Sequence, residues 1–108
     1  MKYLKFYEEL NIDKPEIGDY VLCFDIEEDD DLDKALNDFT SSNIGIIINI
    51  DTTKPILYSI RYEKIPKDIM VYFDKPNSSR VCFEREIIHW SKNKEELETI
   101  LTAKKHNL

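Results

Sequence analysis

The longest regular pattern of apolar and polar positions runs from residue 43 to residue 62, where two apolar runs flank a short polar segment that contains Pro55. Isoleucine dominates the first run, and isoleucine and tyrosine dominate the second, so the pattern predicts a β-hairpin with a loop longer than a tight turn. Alternate side chains of a strand share one face. The even-numbered side chains are therefore predicted to face the core: Ile44, Ile46, Ile48, Ile50, Ile56, Tyr58, Ile60 and Tyr62.

Shorter patterns predict elements before the hairpin. The apolar spacing of residues 1–10 predicts a short helix, with a strand as the alternative. Residues 18–26 predict a strand that places Tyr20, Leu22, Phe24 and Ile26 on one face. An apolar stripe at helical spacing then predicts two turns of helix, formed by Leu32, Ala35, Leu36 and Phe39.

After the hairpin, residues 69–73 predict a fourth strand or an irregular β segment, and residues 80–86 predict a final strand. Ile87, Ile88 and Trp90 are predicted to form a compact apolar cluster. Asn93 and Glu96 have the spacing of a capping pair. They predict a C-terminal helix whose inward side chains are Leu97, Ile100 and Leu101.

Length and composition indicate a single domain over residues 1–108, large enough to bury a core without a metal or a disulfide. The sequence contains neither a membrane span nor a secretion signal, which predicts a cytoplasmic protein that does not associate with membranes. Abundant isoleucine and lysine with little arginine and alanine are typical of AT-rich genomes and point to a phage or virus, acting in a host cytoplasm.

The net charge of −7 is unevenly distributed along the chain. Residues 1–31 hold 11 acidic residues and 3 lysines, whereas residues 61–108 hold 10 basic and 8 acidic residues. Each phosphate contact needs a base, so the acidic first third disfavours nucleic acid as the partner. It favours a protein partner with a basic surface.

Five consecutive acids, with a sixth just beyond, immediately precede the predicted helical stripe: Glu27, Glu28, Asp29, Asp30, Asp31 and Asp33. A calcium-binding loop that starts at Asp29 fails, because Lys34 stands where glycine is required and Thr40 where glutamate is required. A solvated loop is the preferred interpretation of the run, a surface that binds a basic protein is the second, and a metal site is the least favoured.

Cys23, Cys82, His89 and His106 are zinc-ligand types, but their spacing matches no zinc motif, and buried thiols are the preferred interpretation. An aromatic cage for methylated lysine is a further hypothesis, formed by Tyr20, Tyr58, Tyr62, Tyr72 and Trp90. Tyr58 and Tyr62 share the parity of the inward isoleucines, so a core role is preferred for both. No metal and no cofactor are predicted.

Three segments resemble SH3-like barrels of the Tudor and KOW kind: Gly18-Asp19-Tyr20-Val21, Ile44-Gly45-Ile46-Ile47 and Tyr58-Ser59-Ile60-Arg61-Tyr62. The resemblance covers most of residues 17–86. It implies a mainly β (α+β) fold, a five-stranded SH3-like barrel over residues 17–90. Residues 1–16 would cap this barrel, a helical insert would fill its first long loop, and residues 91–108 would add a C-terminal helix. It also implies that Cys23 and Cys82 lie close together. The chain departs from the family in lacking the basic face of KOW modules and in carrying an acidic helical insert.

No nucleophile motif is present, and the chain has only two glycines, which leaves no glycine-rich phosphate loop. The sequence therefore predicts a noncatalytic acidic protein-binding module. In its sharper form it is a phage or mobile-element inhibitor that occupies a host protein's nucleic-acid-binding surface, similar in principle to anti-CRISPR proteins. Two alternatives stay open, a structural subunit of a virion or complex, and a nucleic-acid-binding barrel that uses Arg61, Lys64, Lys67, Arg80 and Arg85. The oligomeric state is not predicted.

Overall fold

The computed structural model describes residues 14–25 and 29–106, so the helix predicted for residues 1–10 lies outside the described residues. Five strands form one antiparallel sheet: β1 (Tyr20–Cys23), β2 (Gly45–Asp51), β3 (Leu57–Arg61), β4 (Ser79–Phe83) and β5 (Ile87–Ser91). The two main helices are α1 (Asp31–Ser42) and α2 (Lys94–His106). A 3₁₀ helix spans Lys67–Tyr72, and a three-residue 3₁₀ turn spans Glu84–Glu86.

The strand order is β4-β3-β2-β1-β5, so the sheet is open between β4 and β5 and does not form a closed barrel. The two edge strands are nevertheless joined by only three residues. Four strand spacings would place the edges of a flat sheet about 19 Å apart. The chain from Phe83 to Ile87 reaches at most about 14 Å. The sheet must therefore curl strongly, and the backbone N–H of Phe24, just after β1, donates to the Glu86 carbonyl at 2.8 Å.

The main core fills the concave side of this sheet under α1 and the 3₁₀ helix Lys67–Tyr72. At its centre three rings contact each other, with centroid distances of 5.5 Å from Phe39 to Tyr62, 6.3 Å from Phe39 to Phe73 and 5.8 Å from Tyr62 to Phe73. Val21, Ile47, Ile60 and Ile69 are buried around them. Burial of these side chains is the main source of the fold's stability.

The predicted inward parity is right for β3 and wrong for the first half of β2. Tyr58, Ile60 and Tyr62 are buried as expected, but Ile47 is the fully buried isoleucine of β2, whereas Ile46 and Ile48 are only half-buried. The reason is a β-bulge between Ile47 and Asn49, where the register against β3 shifts. The extra residue reverses which face the following side chains occupy, so Ile50 again packs against the core.

Three further expectations about local structure were wrong. Residues 69–72 lie in the 3₁₀ helix and not in a strand. Ile69 and Phe73, which are four residues apart, are the side chains of this segment that are buried in the core, a spacing that fits a helical turn. Residues 80–86 are not one strand, since the turn Glu84–Glu86 interrupts them. The apolar cluster that follows is strand β5, and only its Ile87 is buried.

Helix α1 begins where Asp30 accepts a hydrogen bond from the Asp33 backbone N–H at 2.8 Å, a typical N-cap. Two buried polar side chains on its inner face hold it to the end of β1. Asn37 accepts from the Asp25 N–H at 2.8 Å and donates to the Asp25 carbonyl at 2.6 Å, while the Thr40 hydroxyl donates to the Cys23 carbonyl at 3.1 Å. These bonds set the position of the acidic N-terminus of α1.

Helix α2 packs on the opposite face of the sheet, against β1 and β5, where Leu97 and Leu22 are buried outside the main core. The predicted capping role of Asn93 is confirmed, because its side-chain oxygen accepts from the Glu95 N–H at 3.0 Å. Glu96 does not reach back directly. Its carboxylate accepts from the Ser91 hydroxyl, which in turn accepts from the Asn93 N–H.

Candidate partner-binding surface

Four of the six acids singled out in the sequence lie within the described residues, at the start of α1. Asp29, Asp30 and Asp31 are exposed, and Asp33 is half-buried. Glu27 and Glu28 lie outside the described residues. The structure thus brings the described part of the acid run together at the positive end of a helix dipole, where negative charge is stabilising.

Hydrogen bonds divide these acids into two kinds. Asp33 accepts from the Asp29 backbone N–H at 3.0 Å and from the Tyr72 hydroxyl at 2.8 Å, and Asp30 caps the helix. No described residue hydrogen-bonds or ion-pairs with the carboxylates of Asp29 or Asp31. Asp30 and Asp33 therefore organise the local structure, whereas the carboxylates of Asp29 and Asp31 have no such role among the described residues.

The Tyr72–Asp33 hydrogen bond connects α1 to the 3₁₀ helix Lys67–Tyr72, 39 residues further along the chain. The bond lowers the pKa of Asp33, and backbone hydrogen bonds from Asp29 and Asp30 lower it further. It also raises the pKa of Tyr72, because the hydroxyl proton is held by the carboxylate. This hydrogen bond could not be predicted from the sequence, since no local pattern relates Tyr72 to Asp33.

We expect Tyr72→Phe to raise the pKa of Asp33 toward that of an ordinary aspartate, measured by carboxyl NMR titration. A lowered folded-state pKa contributes stability that is present above the unfolded pKa and is lost as the pH falls through the folded pKa. The variant should therefore lose stability relative to the wild type at neutral pH, and the difference should shrink on acidification. An unchanged Asp33 titration in Tyr72→Phe would show that the bond does not persist in solution.

Each of the two residues in this hydrogen bond has an exposed apolar neighbour in the sequence. Leu32, next to Asp33, is 37% exposed, and Val71, next to Tyr72, is 78% exposed. Covering an apolar side chain as exposed as Val71 removes apolar area from water, which is favourable. The acid run was predicted from the sequence, whereas Val71 was missed, because the local sequence does not show which side chains of residues 69–73 remain exposed.

The aromatic residues considered for a cage are not brought together. Tyr58 and Tyr62 are buried in the core, which confirms the core interpretation for both, while Tyr20 and Tyr72 are half-buried and Trp90 lies on the edge strand β5. The ring partners of Tyr62 are Phe39 and Phe73. The described aromatic residues therefore form a hydrophobic centre and not a cation-binding cage.

Cys23 and Cys82 are buried free thiols that contact each other in the core, which confirms their predicted proximity. The two thiols do not lie on paired strands, since β1 pairs with β2 and β5 whereas Cys82 lies on β4. The contact with Cys82 lowers the pKa of Cys23, opposed by burial, while the contact with Cys23 and burial raise the pKa of Cys82. His89 is exposed and pairs with Leu22 in the ladder, on the sheet face away from the core.

The basic residues considered for nucleic-acid binding do not all lie on one exposed face. Arg80 points inward and pairs with Glu86 at 3.6 Å, and the Arg85 guanidinium lies 4.7 Å from the Phe83 ring centroid. Arg61 and Lys64 line one groove, whereas Lys67 begins the 3₁₀ helix. The structure therefore does not place all five basic residues in one exposed stripe, because Arg80 is held by Glu86.

Within the described ranges, no group of three or more histidine, cysteine, aspartate or glutamate side chains is arranged to hold a metal ion. None of the helices in the described part of the chain has both the length and the apolar character needed to cross a membrane. Comparison with protein-family models, curated proteins and solved structures finds no match to this chain. Inferences about function therefore come from the chain's own geometry.

Proposed function

We propose that this chain is a noncatalytic protein-binding module whose contact surface is an acidic patch, defined as Asp29, Asp30, Asp31, Asp33, Leu32 and Val71. The observation that carries the proposal is that Leu32 and Val71, the chain neighbours of the hydrogen-bonded residues Asp33 and Tyr72, are both exposed. Carboxylates without an internal partner steer association with a basic surface, and adjacent apolar side chains supply affinity once water is excluded.

The acidic patch favours a partner whose basic surface normally binds nucleic acid. Carboxylates at the start of a helix offer a partner the same sign of charge as a phosphate backbone. In this version the chain is an inhibitor, of phage or mobile-element origin, that competes with nucleic acid for a host protein. We also propose an SH3-like open barrel as its scaffold, supported by the strand order and by the three-residue link between the edge strands.

The test begins with the chain as bait in a lysate of its source organism, followed by binding measurements with the captured protein in pure form. Asp29→Asn/Asp31→Asn removes two charges that pair with no described residue and leaves the cap intact, and should weaken binding about fivefold to tenfold. Val71→Ser should weaken it with no change in charge. A matched control is Glu84→Gln/Glu95→Gln, which removes two exposed carboxylates elsewhere.

The proposal fails if both double variants weaken binding equally, since net charge alone would then explain the effect. It also fails if Asp29→Asn/Asp31→Asn and Val71→Ser both bind like the wild type, because the patch would then serve only solubility.

A structural subunit is the second candidate, favoured by the exposed apolar side chains of edge strand β5. Ile88 is 42% exposed and Trp90 is 36% exposed, and the outer edge of β5 is not paired in the described sheet. Such an edge is a template for pairing with another chain. The same pull-down separates the two candidates, because a self-assembling subunit captures further copies of its own chain.

A further inference from the structure

A groove of about 480 Å³ lies between α2 and the adjacent ends of β2 and β3, on the sheet face opposite the main core. Its apolar part is formed by Tyr20, Ile44, Ile46 and Leu101, which are all half-buried and so remain accessible. The volume is in the range of pockets that enclose a small ligand or a large side chain.

The rim of the groove carries three exposed cations, Arg61, Lys64 and Lys94. None of the three forms an ion pair with a described residue, although the chain has a net charge of −7. Lys94 is also the first residue of α2, where the helix dipole adds positive potential. Glu63 and Glu98 also line the groove, so the local balance is positive by one charge.

The groove continues onto an exposed apolar strip of the same sheet face. Arg61 lies opposite Ile46 in the ladder, and two residues before it Ser59 lies opposite Val81. Phe83 is two residues after Val81 in β4, so both side chains lie on this same face, and both are exposed. The surface therefore offers a pocket and then an extended apolar track, which suits a chain segment better than a compact small molecule.

We propose that this groove binds a peptide segment of a partner protein that carries carboxylates beside a large apolar side chain. The apolar side chain enters the groove beside Tyr20 and Ile46, and the carboxylates pair with Arg61, Lys64 and Lys94. The two glutamates on the rim and the overall negative charge disfavour a nucleic-acid backbone, whose phosphates are continuous. This site is distinct from the acidic patch, because the groove reaches the C-terminal end of α1, roughly 17 Å of helix from its N-terminal end.

The test uses a short fluorescently labelled peptide in which glutamates alternate with leucine and phenylalanine, with fluorescence anisotropy as the readout. A matched peptide with glutamine at every glutamate position shows whether charge is needed. The groove variant is Arg61→Glu/Lys64→Glu, and its control is Lys75→Glu/Lys104→Glu, which makes the same change of charge at exposed sites outside the groove. Circular dichroism establishes that each variant is folded.

We expect saturable binding of the acidic peptide, weakened about tenfold or more in the groove variant and little changed in the control. Binding should also weaken at roughly 0.5 M salt, because exposed ion pairs are screened. Equal losses in both variants, equal binding of the glutamine peptide, or wild-type affinity in the groove variant would each overturn the proposal. Displacement of the peptide by single-stranded RNA that itself binds more tightly would overturn it in favour of a nucleic-acid site.

Discussion

Gly45→Ala is expected to lower the free energy of unfolding by about 2 kcal/mol, because the core leaves no room for a Cβ at this position. A Cβ built on Gly45 would lie 2.5 Å from the Ile60 Cγ2 atom and 2.8 Å from two ring carbons of Tyr62. Both neighbours are buried, and the Tyr62 ring is held by Phe39 and Phe73. Neither can move away without disturbing the centre of the core.

Alanine also restricts the unfolded chain, which offsets about 0.4–1 kcal/mol of the loss. Gly45→Val should therefore lose more than Gly45→Ala, since added methyl groups increase the overlap without a further entropic gain of that size. Urea unfolding followed by tryptophan fluorescence measures both. Asn49→Ala is the control, at an exposed position of the same strand. A Gly45→Ala protein as stable as Asn49→Ala would mean that the approach of Ile60 and Tyr62 to Gly45 is looser than described.

The close approach at Gly45 also shows why the sequence predicted the hairpin but not its parity. The two apolar runs and the polar loop are strong local signals, and they correctly placed β2 and β3. The bulge leaves Ile48 without a partner, between Ile47 and Asn49. Because Ile46, Ile47 and Ile48 are equally apolar, hydropathy cannot show which of them is the extra residue. The register is set by contact with β3, where Ile47 lies opposite Ile60, and by the absence of a side chain at Gly45.

The helices α1 and α2 were predictable because their apolar spacing and capping residues are local. Strand β5 was not, since His89 and Trp90 are exposed and Glu84–Glu86 form a turn that the apolar pattern does not mark. That turn is specified by contacts between distant residues, among them the hydrogen bond from the Phe24 N–H to the Glu86 carbonyl. Strand identity near residue 87 therefore depends on the curled sheet and not on the local sequence.

The candidate site was predictable only in part for the same reason. The position of the acid run followed from composition, and the start of α1 followed from the apolar stripe behind it. The sequence did not show which acids organise the local structure and which are exposed. That distinction depends on Tyr72, which lies in the 3₁₀ helix and donates a hydrogen bond to Asp33.

Glu86→Ala is expected to cost about 2–4 kcal/mol of stability, because it removes one partner of a largely buried ion pair and a backbone acceptor together. The Glu86 carboxylate pairs with the Arg80 guanidinium at 3.6 Å and accepts from the Phe83 N–H at 3.3 Å. The side chains of Arg80 and Glu86 are only 18% and 7% exposed. In the variant a largely buried positive charge would lose its ion-pair partner and the part-buried Phe83 N–H would lose the Glu86 acceptor, at the turn that joins the two edge strands.

Thermal unfolding of Glu86→Ala should show a clearly lower midpoint than that of Glu84→Ala, which truncates an exposed glutamate in the same turn. The double variant Arg80→Met/Glu86→Leu should lose less stability than Glu86→Ala, because no unpaired charge is left in the interior. If Glu86→Ala instead matched Glu84→Ala, the pair would be solvated in solution. The curl of the sheet would then depend on apolar packing and the backbone bond from Phe24 alone.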